Sequence, residues 1–156
     1  MGGTWDDRAW AIAPTADGGS IMAGRSESND GDVSGNHSIL DDIWVVKQDD
    51  QGGIQWQQCI GGTGTEEGYH IAPTSDGGYI VAGLSGSDDG DATTMQGFVD
   101  GWVVKLDATG TFVWQRSAGG TTIDLLLAVV ETTGGTWLAA GRTDSNDGDV
   151  TGNHGG

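Results

Sequence analysis

Basic residues and cysteine are scarce in this chain of 156 residues. Six Lys and Arg stand against 23 Asp and Glu, so the formal net charge is −17. Binding to nucleic acid requires clustered basic side chains that neutralise phosphates, and we therefore predict no nucleic-acid partner. The single cysteine, Cys59, excludes a disulfide within the chain.

Long apolar segments are also missing from the sequence. A helix that crosses a membrane needs about 20 predominantly apolar residues. Residues 1–4 do not open a segment with the basic and apolar regions of an export signal. The sequence therefore predicts no insertion into a membrane.

Proline is rare, whereas glycine accounts for 30 of the 156 residues. Because the glycines follow no three-residue period, a collagen-like helix is excluded and a β protein with many tight turns is favoured. The acidic residues are mostly Asp, which suits turns and the coordination of hard cations better than the surface of a helix.

A sequence repeat of about 58 residues runs through the chain. An Asp-Gly-Gly turn, an Ala-Gly pair, an Asp-rich loop and a Trp-Val-Val-Lys segment follow one another in the first two copies, and the third copy carries part of this series. We predict one repeat domain over residues 1–156, with a first blade at 2–60, a second blade at 61–118 and a partial third blade at 119–156.

Each complete copy is predicted to form four short β-strands, because apolar runs alternate with turn residues. In the first copy these strands are expected at residues 9–15, 20–25, 43–48 and 54–60. Residues 43–46 are apolar at every position, which is typical of a strand buried on both faces. The predicted fold class is all-β, with four-stranded blades of the β-propeller type and about two and a half blades per chain.

The number of blades leads to a prediction about assembly. A sheet with two apolar faces must stack on other sheets, and a propeller typically closes with about four to eight blades. Two and a half blades cannot close alone, so we predict a homo-oligomer, with a dimer favoured. The alternative is that the chain is a fragment of a longer secreted propeller protein.

Four sequence blocks occur in order: T-A-D-G-G-S-I-M-A-G, N-D-G-D-V-S-G-N-H, I-W-V-V-K and I-Q-W-Q. In these blocks the chain resembles a family of propeller-like repeats from large secreted or cell-surface bacterial proteins. The resemblance implies a β-propeller and an extracellular or cell-surface location, and it implies no defined activity. Residues 15–19 and 74–78 also resemble the Asp-box turn of sialidase-type propellers, which is a folding element.

The Asp-rich loops supply the candidate metal ligands. They present alternating carboxylate and amide oxygens on a turn that contains glycine, and Ca²⁺ takes six to eight oxygen ligands. The candidate ligands are Asn29, Asp30, Asp32, Asp88, Asp89, Asp91, Asn146, Asp147 and Asp149. The alternative is that Asp-Gly forms a tight turn while the flanking Asp and Asn side chains cap loop amides. The sequence leaves both interpretations open, with Ca²⁺ as the predicted cofactor in the first.

The aromatic residues fall into two groups. Those that recur between copies are predicted to pack between sheets, and they are Trp44, Trp56, Trp102 and Trp114. Those that vary between copies are candidates for a rim on which a sugar ring can stack, and they are Trp5, Trp10, Tyr69 and Trp137.

Motifs of known enzyme chemistry are missing: there is no nucleophile elbow, phosphate loop or zinc-spaced His/Cys set. The sequence therefore predicts a non-catalytic β-propeller module with a structural or adhesive role. The alternative functions are a carbohydrate-binding propeller and an incomplete fragment without a function of its own. The expected partners are a second copy of the chain and a glycan or surface protein.

Overall fold

The computed structural model describes residues 1–153. These residues form ten β-strands and no helix, which confirms the all-β prediction. The strands are β1 (Asp7–Pro14), β2 (Ser20–Ser26), β3 (Asp42–Gln48), β4 (Ile54–Ile60), β5 (Glu66–Pro73), β6 (Tyr79–Ser85), β7 (Asp100–Leu106), β8 (Phe112–Ala118), β9 (Asp124–Glu131) and β10 (Trp137–Thr143). Residues 154–156, the last of the predicted third blade, lie outside the described part.

The strands belong to three antiparallel sheets. Strands β1 to β4 form the first sheet and β5 to β8 the second, each in sequence order, and β9 pairs with β10 in the third. Tight turns allow this order because glycine adopts the left-handed backbone that they need, as Gly18 does with a φ of 86°. The described residues do not close into a propeller ring.

The first two sheets have equivalent hydrogen-bond registers. Gly24 of β2 lies opposite Trp44 of β3, and Gly83 of β6 lies opposite Trp102 of β7. The first strand of every sheet, in sequence order, also carries a bulge at the same point, at Trp10 in the first sheet. The equivalent bulge residues are Tyr69 in β5 and Leu127 in β9.

The first two sheets pack face to face around one apolar core. Ile21 and Val45 of the first sheet contribute to this core together with Val81, Trp102 and Val104 of the second. A second core lies between the second and third sheets, where Ile80, Ala82 and Val103 pack with Val129 of β9. Strand β7 is therefore buried on both faces between sheets. Strand β3 is buried on both faces as well, as predicted for residues 43–46.

The opposite face of the first sheet has no further sheet against it in the described chain. Its Trp44 and Val46 are covered instead by Val33, which comes from the loop between β2 and β3. The Trp44 indole N–H donates to Gln57 at 2.9 Å. Loop and sheet together thus bury this tryptophan, while other residues of the same face stay exposed.

Candidate functional site

The central Asp of each Asp-rich loop anchors the loop to the segment before the first strand of its sheet. Asp30 accepts hydrogen bonds from the Thr4 amide at 2.7 Å and from the Thr4 hydroxyl at 2.5 Å. Asp89 makes the same pair of contacts with Thr63, both at 2.8 Å. Asp147 repeats them with Thr121 at the same distances.

The outer residues of the loops also accept backbone hydrogen bonds. The Asn29 side chain accepts from Gly35 N at 2.9 Å, and Asn146 accepts from Asn153 N at 3.1 Å. Asp32 accepts from Gly2 N at 3.1 Å, while Asp88 is exposed. These contacts agree with the capping interpretation. Ca²⁺ binding by the loops stays a prediction, and among residues 1–153 no three His, Cys, Asp or Glu side chains form a metal-binding group.

Buried carboxylates outside the candidate set meet where one sheet follows another, and one candidate Asp lies beside each meeting point. We call the contact between the first and second sheets junction one, defined by Asp42, Glu66, His37 and Asp91. Asp42 opens β3, Glu66 opens β5, and both are fully buried. The backbone joins the sheets here, because Glu66 N donates to the Asp41 carbonyl at 2.7 Å.

A histidine bridges the two sides of junction one. The His37 amide donates to Asp42 Oδ2 at 3.0 Å, and its Nδ1 lies 2.6 Å from the same oxygen. Its Nε2 lies 3.8 Å from Asp91 Oδ2 in the loop of the second sheet. Burial disfavours the charged imidazole, but Asp42 and Asp91 outweigh burial and raise the pKa of His37.

The contact between the second and third sheets has the same backbone frame. We call it junction two, defined by Asp100, Asp124, Gln96 and Asp149. Asp100 opens β7, Asp124 opens β9, and both are buried. Asp124 N donates to the Val99 carbonyl at 2.8 Å. Gln96 stands in the place of the histidine, with its amide 2.6 Å from Asp100 Oδ2 and its Nε2 2.6 Å from Asp149 Oδ2.

Burial raises the pKa of one aspartate at each junction, whereas hydrogen bonds outweigh it at Asp124. Burial raises the pKa of Asp42 to about 6, although hydrogen bonds from His37 oppose the shift. Burial likewise raises the pKa of Asp100, and the neighbouring charge of Asp124 adds to the rise. Burial also disfavours the charged form of Asp124, but hydrogen bonds from Thr143, Gly120 and Ser145 outweigh it and lower the pKa.

A second polar group forms around the bulges of β1 and β5. The rings of Trp10 and Tyr69 lie 5.2 Å apart, and the Arg25 guanidinium lies 5.9 Å from the Trp10 ring. Arg25 also donates to Asp6 at 2.8 Å, and the Tyr69 hydroxyl donates to Glu67. Of the predicted rim aromatics, the structure thus brings Trp10 and Tyr69 together. Trp5 is exposed elsewhere, and Trp137 packs against Trp114.

The two ends of the sheet stack expose apolar side chains. Ile12 of β1 is 67% exposed, whereas Ile71, its counterpart in β5, is 3% exposed because the first sheet covers it. Leu138 of β10 is 63% exposed, whereas its counterpart Ile80 in β6 is fully buried. Val130 lies directly opposite Leu138 and is exposed with it. We call the exposed surface around Ile12 the first end face, and the exposed surface around Leu138 and Val130 the second end face.

Comparisons with family models and curated proteins identify no match that could assign a role to these sites. No family model matches the chain, and no curated protein matches it. Within residues 1–153 there is also no helix of the length and apolar character that a membrane crossing requires. The resemblance to propeller-like repeats therefore stays a prediction that rests on the sequence blocks themselves.

Sequence reasoning missed the junction carboxylates, and it also missed two buried lysines. Lys47 lies 2.8 Å from Asp17, and Lys105 lies 3.0 Å from Asp76. Hydrogen bonds from Thr74, Gly78 and Lys105 lower the pKa of Asp76 to about 2. The signal for these pairs was present in the sequence, because each Asp-Gly-Gly turn of the first two copies is followed by a Trp-Val-Val-Lys segment.

Proposed function

We propose that the chain is a non-catalytic module of the β-propeller type with a structural or adhesive role. Its two end faces would join it to equivalent faces of other copies, with a dimer as the predicted assembly. An extracellular or cell-surface setting is part of the proposal and rests on the sequence resemblance. The observation that carries the proposal is the pair of exposed apolar end faces.

Residue equivalence supports this pairing of end faces. The first end face lies on one side of the first sheet. In the second sheet, the equivalent side packs against the first sheet. The second end face lies on one side of the third sheet. In the second sheet, the equivalent side packs against the third sheet. Each end face therefore has the shape and chemistry of one half of a contact that already occurs inside the chain. Exposed apolar patches of this kind mark interaction sites.

Association should depend on these faces and on charge. The mass of the purified chain, followed by light scattering over a range of concentrations, is expected to rise above that of a monomer. Added salt should favour the rise, because it screens repulsion between chains of net charge −17. Ile12→Lys and Leu138→Lys should each abolish the rise, because a lysine on either face opposes burial.

Val113→Lys is the matched control, because Val113 is exposed on β8 away from both end faces. It should associate as the unchanged chain does. A monodisperse monomer at every concentration and salt level would contradict the proposal. So would equal association of the Leu138→Lys and Val113→Lys variants.

Carbohydrate binding is the second candidate, and the group around Trp10 favours it. Trp10 is 40% exposed, and its ring lies 5.2 Å from the tilted ring of Tyr69. The Arg25 guanidinium lies beside Trp10 and donates to Asp6. An apolar ring face beside hydrogen-bonding groups is the kind of surface on which a sugar can pack.

A glycan array tests this candidate. The unchanged chain should bind at least one glycan, and Trp10→Ala should lose that signal. Phe98→Ala should keep it, because Phe98 is an exposed aromatic residue outside this group. An array without signals, or signals that Trp10→Ala leaves intact, would remove the candidate.

A further inference from the structure

Strand β10 has an open edge. In the first two sheets the second strand, β2 or β6, pairs with a neighbouring strand on each side. Strand β10 is the second strand of the third sheet, and within residues 1–153 it pairs with β9 alone. An open edge presents a row of backbone N–H and C=O groups that can pair with another strand. The edge of Trp137–Thr143 is therefore available to a further strand.

An apolar groove lies beside this edge. It has a volume of about 940 Å³ and lies between the second and third sheets. Val103 of β7 and Trp114 of β8 line one side, and Trp137 and Ala139 of β10 line the other. Successive side chains of a strand point to opposite faces. The groove therefore lies on the face of β10 opposite to Leu138 and is separate from the second end face.

The contact between the first two sheets shows what fills the equivalent place there. Strand β7 pairs with β6, and its Trp102 and Val104 are fully buried against the first sheet. Ile60 of β4 and Val81 of β6 are fully buried in the same core. An extended strand with a large apolar residue at every second position thus covers this core.

The equivalent residues beside the groove are not covered. Ala118 of β8 stands at the position of Ile60, and Ala139 of β10 stands at the position of Val81. Both alanines are exposed. Among the described residues, no strand takes the place of β7 beside the third sheet. The groove therefore has the position and the apolar lining of a strand site that is open.

We propose that the groove beside β10 binds an extended segment of a partner protein, which adds a strand to the third sheet. Backbone hydrogen bonds to the open edge provide affinity, and alternate side chains provide specificity. By the register of β6 with β7, a large aromatic residue lies opposite Gly141 and an apolar residue lies opposite Ala139. A second copy of the chain cannot supply this segment, because β3 and β7, which carry the pattern, are paired on both sides.

Thr136 limits the length of the bound segment. It stands at the position of Gly78 in the turn before the strand, where a Cβ would lie 2.3 Å from the Leu106 carbonyl oxygen of β7. A strand bound to β10 must therefore turn away opposite Trp137, whereas β7 continues opposite the equivalent Tyr79. The bound segment pairs with residues 138–143.

A peptide with the sequence of residues 97–105 tests the proposal, because it carries the β7 pattern up to the position opposite Leu138. The peptide is blocked at both ends, labelled with a fluorophore and titrated with the full chain, and anisotropy measures binding. The unchanged chain should bind it. Trp102→Ala in the peptide should weaken binding by about tenfold or more, because buried aromatic residues dominate contacts of this kind. Val103→Thr in the peptide should have little effect, because this side chain points away from the groove.

Substitutions in the chain locate the binding. Ala139→Lys and Ala118→Lys place a charged side chain in the groove from opposite sides, and each should weaken binding by about tenfold or more. Val113→Lys is the matched control and should bind the peptide as the unchanged chain does, because Val113 is exposed on the other face of β8. Circular dichroism should show every variant folded.

Three results would overturn the proposal. The first is no binding of the peptide by the unchanged chain. The second is equal binding by the Val113→Lys variant and the two alanine variants. The third is a loss of self-association in the Ala139→Lys variant, measured by light scattering, because it would assign the groove to a second copy of the chain.

Discussion

Trp102→Ala is expected to lower the free energy of unfolding by about 3–5 kcal/mol, the usual cost of removing a large buried aromatic side chain. Trp102 is fully buried between the first two sheets, and its indole N–H donates to Gln115 at 2.7 Å. The substitution would leave a cavity at the centre of the larger core. It would also leave the Gln115 oxygen without this donor.

Urea unfolding followed by tryptophan fluorescence and circular dichroism measures this loss. Trp5→Ala is the matched control, because Trp5 is 69% exposed, and it should change the free energy of unfolding by no more than about 0.5 kcal/mol. Equal midpoints for the two variants would contradict the face-to-face packing of the first two sheets.

Gly83→Ala is expected to destabilise the second sheet by about 3 kcal/mol or more, because it forces two backbones apart. A Cβ on Gly83 would overlap the carbonyl oxygen of Glu67 on the neighbouring strand β5. That atom belongs to the backbone and cannot rotate away. The same overlap would occur at Gly24 and Gly141, the equivalent glycines of the other two sheets.

Gly86→Ala provides the control for this substitution. A Cβ on Gly86 would meet its nearest atom, the Thr65 carbonyl oxygen, at 3.5 Å, which is an ordinary contact. Its unfolding midpoint should remain close to that of the unchanged chain. If Gly83→Ala unfolds at the same urea concentration as Gly86→Ala, then β5 and β6 do not approach as closely as described.

Local sequence patterns predicted the strands well. The fourth strand was expected at residues 54–60, where β4 lies. The first strand begins two residues before its predicted start, because Asp7 and Arg8 pair with Ser26 and Arg25. That extension depends on the partner strand, which an apolar pattern does not describe.

The candidate site was predicted only in part. The Asp-rich loops were predicted as candidate ligands because their acidic residues are close together in the sequence. In the structure, most of these side chains accept hydrogen bonds from loop amides. Asp100 and Asp124 are separated in sequence and become neighbours only when the second and third sheets meet. No sequence pattern relates the acidic residue at the start of β7 to the one at the start of β9, so their proximity could not be predicted.

Ten strands, their turns and the apolar faces that require stacking follow from the sequence alone, because they depend on residues a few positions apart. Which faces are covered and which carboxylates meet depends instead on how the sheets stack. Ile12 and Ile71 stand in the same local motif, Ile-Ala-Pro-Thr, yet one is exposed and the other buried. Burial depends on the neighbouring sheet, because a side chain leaves solvent only where another sheet covers its face.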